Sequence, residues 1–177
     1  MQRHGRTSFG GKLFLPAWNG VEIIQNVPIP SDVLRLYTDA SDLGFGAVYK
    51  RSWIISEWKH GWGDQHINVR ELFAIWVALH TWGGQWSNMQ ILFLTDSQSM
   101  SQVWRTGTSR DKVVMRIIRA MFMFCAKHNI NLLMKHIPGK SNILADHLSR
   151  FQVKEFMEAM PEADPVPTVF NIMVWKI

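Results

Sequence analysis

The hydrophobic period changes from about two residues to about 3.6 near Asn68, and this change limits the possible folds more than any other feature of the sequence. Three segments before Asn68 alternate like half-buried strands joined by short polar turns: 33–39, 44–49 and 53–58. After Asn68, apolar side chains recur with helical spacing: Leu72, Ile75, Trp76 and Leu79. The sequence therefore predicts an antiparallel meander followed by a helix of about 14 residues that ends at Gly83 and Gly84.

The remaining segments add two strands and three helices. Residues 89–95 form a continuous apolar run, which is typical of a central strand covered on both faces of a sheet. Periodicity predicts two helices, a strand and a last helix after it: 97–104, 112–127, 130–137 and 142–150. The order βββαβααβα predicts an α/β protein with a five-stranded mixed sheet and helices on both faces.

Composition divides the chain into three parts. Residues 1–30 are rich in Gly and Pro and lack periodicity, so we predict a lead-in connection that lies on a neighbouring surface. Residues 31–152 hold the periodic segments and are predicted to form the domain. Residues 153–177 hold three prolines and a net negative charge, which predicts a C-terminal linker or tail.

The sequence shows no feature of a membrane or secreted protein. It contains no uncharged apolar run of about 18 residues, and its first residues lead into no apolar signal segment. The single cysteine, Cys125, excludes a disulfide framework. We therefore expect an intracellular protein of the cytoplasm or nucleus, without a membrane partner.

Positive charge is concentrated in one stretch of the chain. The whole sequence has 19 basic and 14 acidic residues, a net charge of +5. Residues 97–150 alone hold two acidic residues and nine basic ones: Arg105, Arg110, Lys112, Arg116, Arg119, Lys127, Lys135, Lys140 and Arg150. Such a stretch favours a nucleic-acid partner, and the alternative is an ordinary solvated helix face.

Two segments repeat one motif, in which an apolar strand ends in an Asp followed by small residues. They are Thr38-Asp39-Ala40-Ser41 and Thr95-Asp96-Ser97-Gln98. Burial of a lone carboxylate is costly, so the pair requires a cation or hydrogen-bond donors. The alternative for each Asp, taken singly, is a turn or a helix cap.

Two helical carboxylates favour the cation. Glu71 lies near the start of the first predicted helix, and Asp146 lies one turn after Asn142 in the last one. If both helices pack against the two strands, four carboxylates converge, and a divalent metal makes such a cluster stable at neutral pH. Oxygen donors favour Mg²⁺ or Mn²⁺ over Zn²⁺. An acidic metal site beside a basic segment predicts phosphodiester hydrolysis with two Mg²⁺ ions.

Four segments occur in an order that resembles type 1 ribonuclease H (RNase H): Thr38-Asp39-Ala40-Ser41, Asn68-Val69-Arg70-Glu71, Thr95-Asp96-Ser97-Gln98 and His136 to Arg150. More closely, residues 31–152 resemble the RNase H domain of polyproteins from LTR and tyrosine-recombinase retrotransposons. The resemblance implies an RNase H-like fold, cleavage of the RNA strand of RNA/DNA hybrids, and a reverse transcriptase domain as partner. It also implies two Mg²⁺ ions, or Mn²⁺, held by four catalytic carboxylates: Asp39, Glu71, Asp96 and Asp146.

The resemblance assigns roles to further residues. Asn68 and Gln98 match positions that contact the substrate backbone and minor groove, where 2′-hydroxyls distinguish RNA from DNA; the alternative for both is helix capping. His136 matches a mobile-loop histidine that assists product or proton departure, and the alternative is a solvent-facing strand end. Three other substrate contacts are expected, of which the two arginines partly replace a basic insertion that this sequence lacks: Asn142, Arg105 and Arg116.

The tryptophans are expected to divide between core and surface. Spacing places Trp53, Trp58 and Trp76 in the core, whereas Trp104 lies among basic residues and is the candidate for stacking on a base.

Three functions remain open at this point. The first is an active hybrid ribonuclease, and the second is a catalytically silent nucleic-acid-binding or structural remnant of a polyprotein. The third keeps the fold but changes the chemistry, as in integrases, exonucleases and resolvases. The presence of all four acids favours the first, and the spacing of Asn68 to Glu71 and of Asn142 to Asp146 argues against the third.

Overall fold

The structure, a computed structural model, describes residues 31–59 and 61–177. The lead-in connection expected over residues 1–30 lies outside the described residues. Within the described part of the chain, no helix combines the length and the hydropathy that a membrane crossing requires.

Five strands form one mixed sheet: β1 (Leu34–Ala40), β2 (Gly44–Tyr49), β3 (Ser52–Glu57), β4 (Gln90–Thr95) and β5 (Asn131–His136). Their order across the sheet is β3-β2-β1-β4-β5. The first three strands form the predicted antiparallel meander, and β4 pairs in parallel with both β1 and β5. The central position predicted for β4 from its continuous apolar run is confirmed, since its residues 91–95 are all buried.

Within residues 31–59 and 61–177, five α-helices accompany the sheet: α1 (Ile67–Trp82), α2 (Gln98–Thr106), α3 (Lys112–His128), α4 (Ile143–Ser149) and α5 (Val153–Ala159). Short 3-10 turns lie at Trp62–Asp64, Gly83–Trp86, Gly139–Ser141 and Ile172–Lys176. The α/β class and the element order predicted up to residue 150 are confirmed. The helix α5 follows the last predicted helix directly.

The helices cover both faces of the sheet. On one face, α1 and α3 pack on Leu36, Phe45 and Phe93 in the main core. On the other face, α4 and α5 pack on β2 and β3 through Leu148 and Phe156. Strand alternation sends neighbouring side chains to opposite faces, so β1, β2 and β3 contribute to both clusters, whereas β4 and β5 carry a third, smaller cluster on the second face: Leu92, Leu94 and Leu133.

Residues 161–177, which we call the C-terminal strap, run along the outer edge of β3. The backbone N–H groups of Asp164 and Thr168 donate to the carbonyl oxygens of Arg51 and Trp53 at 2.8 and 2.7 Å. Farther on, Trp175 is 7% exposed and lies in the main core. The strap therefore packs on the sheet, and the domain boundary near residue 152 stays a prediction.

The tryptophans differ in one case from the expectation. Trp53 and Trp76 are buried, and the half-buried Trp58 packs on Phe45 with ring centroids 5.2 Å apart. Trp104, expected to stack on a base, is only 5% exposed, and its Nε1 donates to the carbonyl oxygen of Leu132 at 2.9 Å. Stacking on Trp104 was therefore a wrong prediction, because the apolar side of α2 faces β5.

Candidate active site

Asp39 and Asp96 meet at one edge of the sheet because β1 and β4 are parallel neighbours. Asp39 is the penultimate residue of β1, and Asp96 directly follows β4. Helix α1 packs against β1 and supplies Glu71. One carboxylate oxygen from each of the three side chains lies within 4.8 Å of the others. We call these three residues the carboxylate cluster.

Burial controls the protonation of the carboxylate cluster. Asp39 and Glu71 are 4% and 5% exposed, whereas Asp96 is partly exposed. Burial raises the pKa of Asp39 to about 7; a hydrogen bond from Ser149 opposes the rise, and the charges of Asp96 and Asp146 add to it. Burial, followed by the charges of Asp39 and Asp96, raises the pKa of Glu71 to about 9.

The carboxylate cluster has the donors of a divalent-cation site. Glu71 Oε2 and Asp96 Oδ1 are buried and have no hydrogen-bond partner among the described residues. A cation between them would satisfy both oxygens and favour the ionised form of side chains that burial otherwise keeps protonated. Three carboxylate donors suit Mg²⁺ or Mn²⁺.

Asp146 lies outside the carboxylate cluster, which differs from the expected convergence of four carboxylates. Its Oδ1 accepts a hydrogen bond from Arg150 Nε at 2.7 Å, four residues later in the chain. Asp146 is still close enough for its charge to raise the pKa of Asp39. The physical reason for the difference is that the Arg150 guanidinium already provides the positive partner of this carboxylate.

Helix α4 reaches Asp39 because β2 has a glycine opposite it. Gly46 pairs with Asp39 across β1 and β2. A Cβ at Gly46 would lie 2.3 Å from Leu148 Cβ and 2.8 Å from the carbonyl oxygen of Ala145. Since no side chain fits there, glycine allows α4 to pack close to the sheet.

Ser149 is a candidate that the sequence reasoning missed. It is fully buried, and its Oγ donates to Asp39 Oδ2 at 2.5 Å. The same Oγ lies 3.0 Å from the carbonyl oxygen of Asp146. The sequence did contain a signal, because residues three and four positions after Asp146 lie on its side of a helix. Ser149 and Arg150 are those two residues.

Asn68 and Gln98 lie where a substrate contact was expected. Both line a surface depression with Glu71 and Asp96. Asn68 Oδ1 accepts a hydrogen bond from Ser99 Oγ at 3.0 Å. The capping alternative does not apply to Asn68, because α1 begins at Ile67 and its cap is the preceding histidine.

His136 and Arg105 lie together in a second depression beside the first. Both are exposed and line a groove between α2 and β5. His136 ends β5 and pairs in register with Thr95, which immediately precedes Asp96. His136 is therefore one strand away from the residue that precedes Asp96, and its role in product departure stays a prediction.

Asn142 and Arg116 lie elsewhere. Asn142 is 1% exposed, and its Nδ2 donates to the carbonyl oxygen of Thr38 at 2.9 Å, so it holds the start of α4 against β1. Arg116 is exposed on α3 and lines a surface shared with Arg110 and Arg119, apart from both depressions. Asn142 is thus buried beside the residue that precedes Asp39, Arg116 lies apart from the depressions, and their contacts with substrate stay a prediction.

Comparison with known proteins supports one fold. No family model matches the chain. The enzymatic polyprotein of figwort mosaic virus (strain DxS) is 25% identical to it over 134 residues, which is 70% of this chain. The chain spans about a fifth of that polyprotein, 20% of its length.

Three solved structures are similar to this chain. RNase H1 from the halophilic archaeon Halobacterium salinarum NRC-1 has a TM-score of 0.51 and 16% identity over 69% of this chain and 98% of its own. The N-terminal RNase H domain of a Mycobacterium tuberculosis protein has a TM-score of 0.55 and 12% identity, covering 67% and 96%. An RNase H1 isolated from compost by metagenomics has a TM-score of 0.50 and 17% identity, covering 70% and 97%. The predicted resemblance, and with it the RNase H fold, is confirmed.

Proposed function

We propose that this chain, which has the RNase H fold, is the RNase H domain of a retroelement polyprotein and hydrolyses the RNA strand of RNA/DNA hybrids as an endonuclease. The observation that carries the proposal is the carboxylate cluster, in which three acids from β1, α1 and the end of β4 place oxygens within 4.8 Å of one another. Buried carboxylates of raised pKa are costly to a fold, and groups of this kind concentrate at functional sites.

The proposal includes two divalent ions, Mg²⁺ or Mn²⁺. Asp39, Glu71 and Asp96 would hold them, together with Asp146 once it exchanges Arg150 for a cation. Ions bound there would activate the attacking water and stabilise the leaving oxygen at the scissile phosphate. The protein itself contributes a fixed arrangement of oxygens, because β1, β4 and α1 are packed elements of the core.

Other residues of the chain would bind and orient the substrate. The amides of Asn68 and Gln98 line the depression that holds Glu71 and Asp96, so they are placed to hydrogen-bond 2′-hydroxyls of the RNA strand. The imidazole of His136 is exposed near the end of β4 and would exchange a proton as the product leaves.

The proposed partners follow from the polyprotein relative. A reverse transcriptase domain of the same polyprotein would deliver the hybrid to this domain, which lacks the basic insertion of some cellular relatives. Hybrids formed during reverse transcription place the reaction in the cytoplasm or the nucleus.

An end-labelled cleavage assay tests the proposed function. We expect Mg²⁺-dependent cleavage of the RNA strand in an RNA/DNA hybrid, no cleavage of duplex DNA or duplex RNA of the same sequence, and complete loss of cleavage in EDTA. A folded protein that binds the hybrid with Mg²⁺ but leaves its RNA intact would instead indicate the silent module. Cleavage of duplex DNA would indicate the integrase-like or resolvase-like chemistry.

A further inference from the structure

A groove of about 470 Å³ lies between α2 and the edge strand β5, and we call it the β5 groove. Residues of α2 and β5 line it: Gln98, Ser101, Gln102, Trp104, Arg105, Leu132, Leu133, Met134, Lys135 and His136. A groove of this size is large enough for a short length of one nucleic-acid strand.

The charge of the β5 groove favours an anion. Arg105, Lys135 and His136 are exposed and line it, and no acidic residue of the described part of the chain does. Gln98 and Gln102 add amide donors and acceptors. Basic side chains with amides beside them are the usual contacts to a sugar–phosphate backbone.

The β5 groove continues the depression that holds the carboxylate cluster. Gln98 and Gln102 line both, so they form a shared wall between the two. His136, at the near end of the groove, pairs with Thr95 one residue before Asp96. A strand whose phosphate lies at the carboxylate cluster can therefore pass directly into the groove.

The backbone of β5 adds hydrogen-bond donors. The N–H of Ile137 donates to the carbonyl oxygen of Thr95, and the N–H of Asn131 donates to the carbonyl oxygen of Met89. The backbone N–H and C=O groups of the odd-numbered residues of β5 therefore point toward β4. In a parallel pair the intervening N–H groups point away from the neighbour, which directs those of Met134 and His136 outward. Unpaired N–H groups at a strand edge can bind a phosphate as well as another strand.

We propose that the β5 groove binds the sugar–phosphate backbone of the strand being cleaved, on one side of the scissile phosphate. The proposal rests on the proposed function for the identity of that strand. A peptide strand added to the edge of β5 is the other possible occupant. Charge argues against it, and the Trp104 indole already occupies the outward carbonyl of Leu132, which an added strand would need.

Salt-dependent binding tests this site. The double variant Arg105→Gln/Lys135→Gln removes two charges from the groove, and Lys50→Gln/Lys154→Gln removes two exposed charges that do not line the groove as a control. Hybrid binding is measured by fluorescence anisotropy in Mg²⁺ with Asp96→Asn present throughout to prevent cleavage. We expect the slope of log K against log salt to fall in magnitude by about 2 in the groove variant. We expect it to stay unchanged in the control.

A second measurement locates the contact along the strand. Single neutral methylphosphonate linkages replace successive phosphates on either side of one cleavage site, and KM and kcat are measured for wild type and groove variant. We expect one or two positions on one side to raise KM several-fold in wild type and to have little further effect in the variant. A smaller effect of these linkages in the variant than in wild type shows that those phosphates contact the groove. We expect kcat to change little in these experiments.

The outcomes separate the two proposals. If wild type leaves the unmodified hybrid intact, the proposed function fails, and the binding slopes still test the groove. If wild type cleaves it but the groove variant keeps its slope and shows additive effects at every position, the β5 groove does not bind the substrate. That result would favour a peptide strand as the occupant of the β5 groove.

Discussion

At the scale of single residues, the carboxylate cluster holds acidic side chains in a buried position that disfavours their ionised form. Asp39 and Glu71 are almost completely buried, and the pKa of each is raised, to about 7 and about 9. A raised carboxyl pKa means that the folded chain holds protons that the unfolded chain has already released. Stability of the metal-free protein therefore falls as pH rises from about 4, the unfolded value, toward 9.

Glu71→Gln tests this relation. In EDTA, we expect wild type to lose stability between pH 5 and pH 9 by up to about 1.4 kcal/mol per pH unit for each group, and the variant to lose less. Mg²⁺ should restore wild-type stability above pH 7, because it favours the ionised form, and should have little effect on the variant. Thermal unfolding against pH, with and without Mg²⁺, measures both. If stability depended on pH equally in the two proteins, the claim that burial raises the pKa of Glu71 would be contradicted.

Ser149 donates a hydrogen bond to one oxygen of Asp39 and so fixes the orientation of this carboxylate. We expect Ser149→Ala to weaken Mg²⁺ binding several-fold in calorimetric titration. Ser41→Ala is the control, because Ser41 Oγ donates to the Ser149 carbonyl at 2.6 Å, accepts from the N–H groups of Leu43 and Gly44, and has no carboxylate partner among the described residues. A lost buried hydrogen bond costs about 1 kcal/mol, so Ser41→Ala, which removes three of them, is expected to destabilise the fold at least as much as Ser149→Ala. Equal losses of Mg²⁺ affinity in both variants would mean that Ser149 only supports the helix.

At the scale of elements, the sequence predicted the helices and strands up to residue 150, because most of these segments keep one apolar period and β4 is a continuous apolar run; it did not predict α5. It also predicted that Asp39 and Asp96 meet, since each ends a buried strand. It did not predict the contacts of Ser149 and Arg150, which depend on how α4 turns relative to β1. That orientation comes from tertiary packing, to which Gly46 contributes by its lack of a side chain.

Gly46→Ala tests how closely α4 must pack. We expect the added methyl group to push α4 from β2, at a cost of about 1–3 kcal/mol, and to lower hybrid cleavage because Asp146 and Ser149 move with it. Gly84→Ala is the control, since a Cβ there meets no atom within 4 Å. Urea unfolding and cleavage rates together measure the effect. A Gly46→Ala protein as stable and active as the control would contradict the close packing.

At the scale of the whole molecule, the C-terminal strap joins the edge of β3 to the main core. The prolines and acidic residues of this segment predicted a linker or tail. A short segment that packs through a few aromatic residues has no periodic pattern in the sequence, so its packing could not be predicted. Trp175 is 7% exposed and packs on Phe73 with ring centroids 4.8 Å apart. The strap therefore supports the helix that carries Glu71.

Trp175→Ala tests the contribution of the strap. We expect a loss of about 3–5 kcal/mol in the free energy of unfolding, as for other large buried aromatic residues. Val169→Ala, at a strap position that is 91% exposed, should change it by less than about 0.5 kcal/mol. Chemical unfolding of both variants provides the measurement, and similar stabilities for the two would show that the strap is not part of the folded unit.

The central claim is that the carboxylate cluster cleaves RNA in hybrids, and Asp96→Asn tests it most directly. Asp96 is partly exposed, so the amide is expected to leave the fold intact. Asp64→Asn removes an exposed carboxylate outside the carboxylate cluster as the control. With Mg²⁺ and an end-labelled RNA/DNA hybrid, we predict that Asp96→Asn lowers kcat more than about a hundredfold, because it removes a metal ligand, and that Asp64→Asn matches wild type. Equal cleavage by both variants would contradict the account.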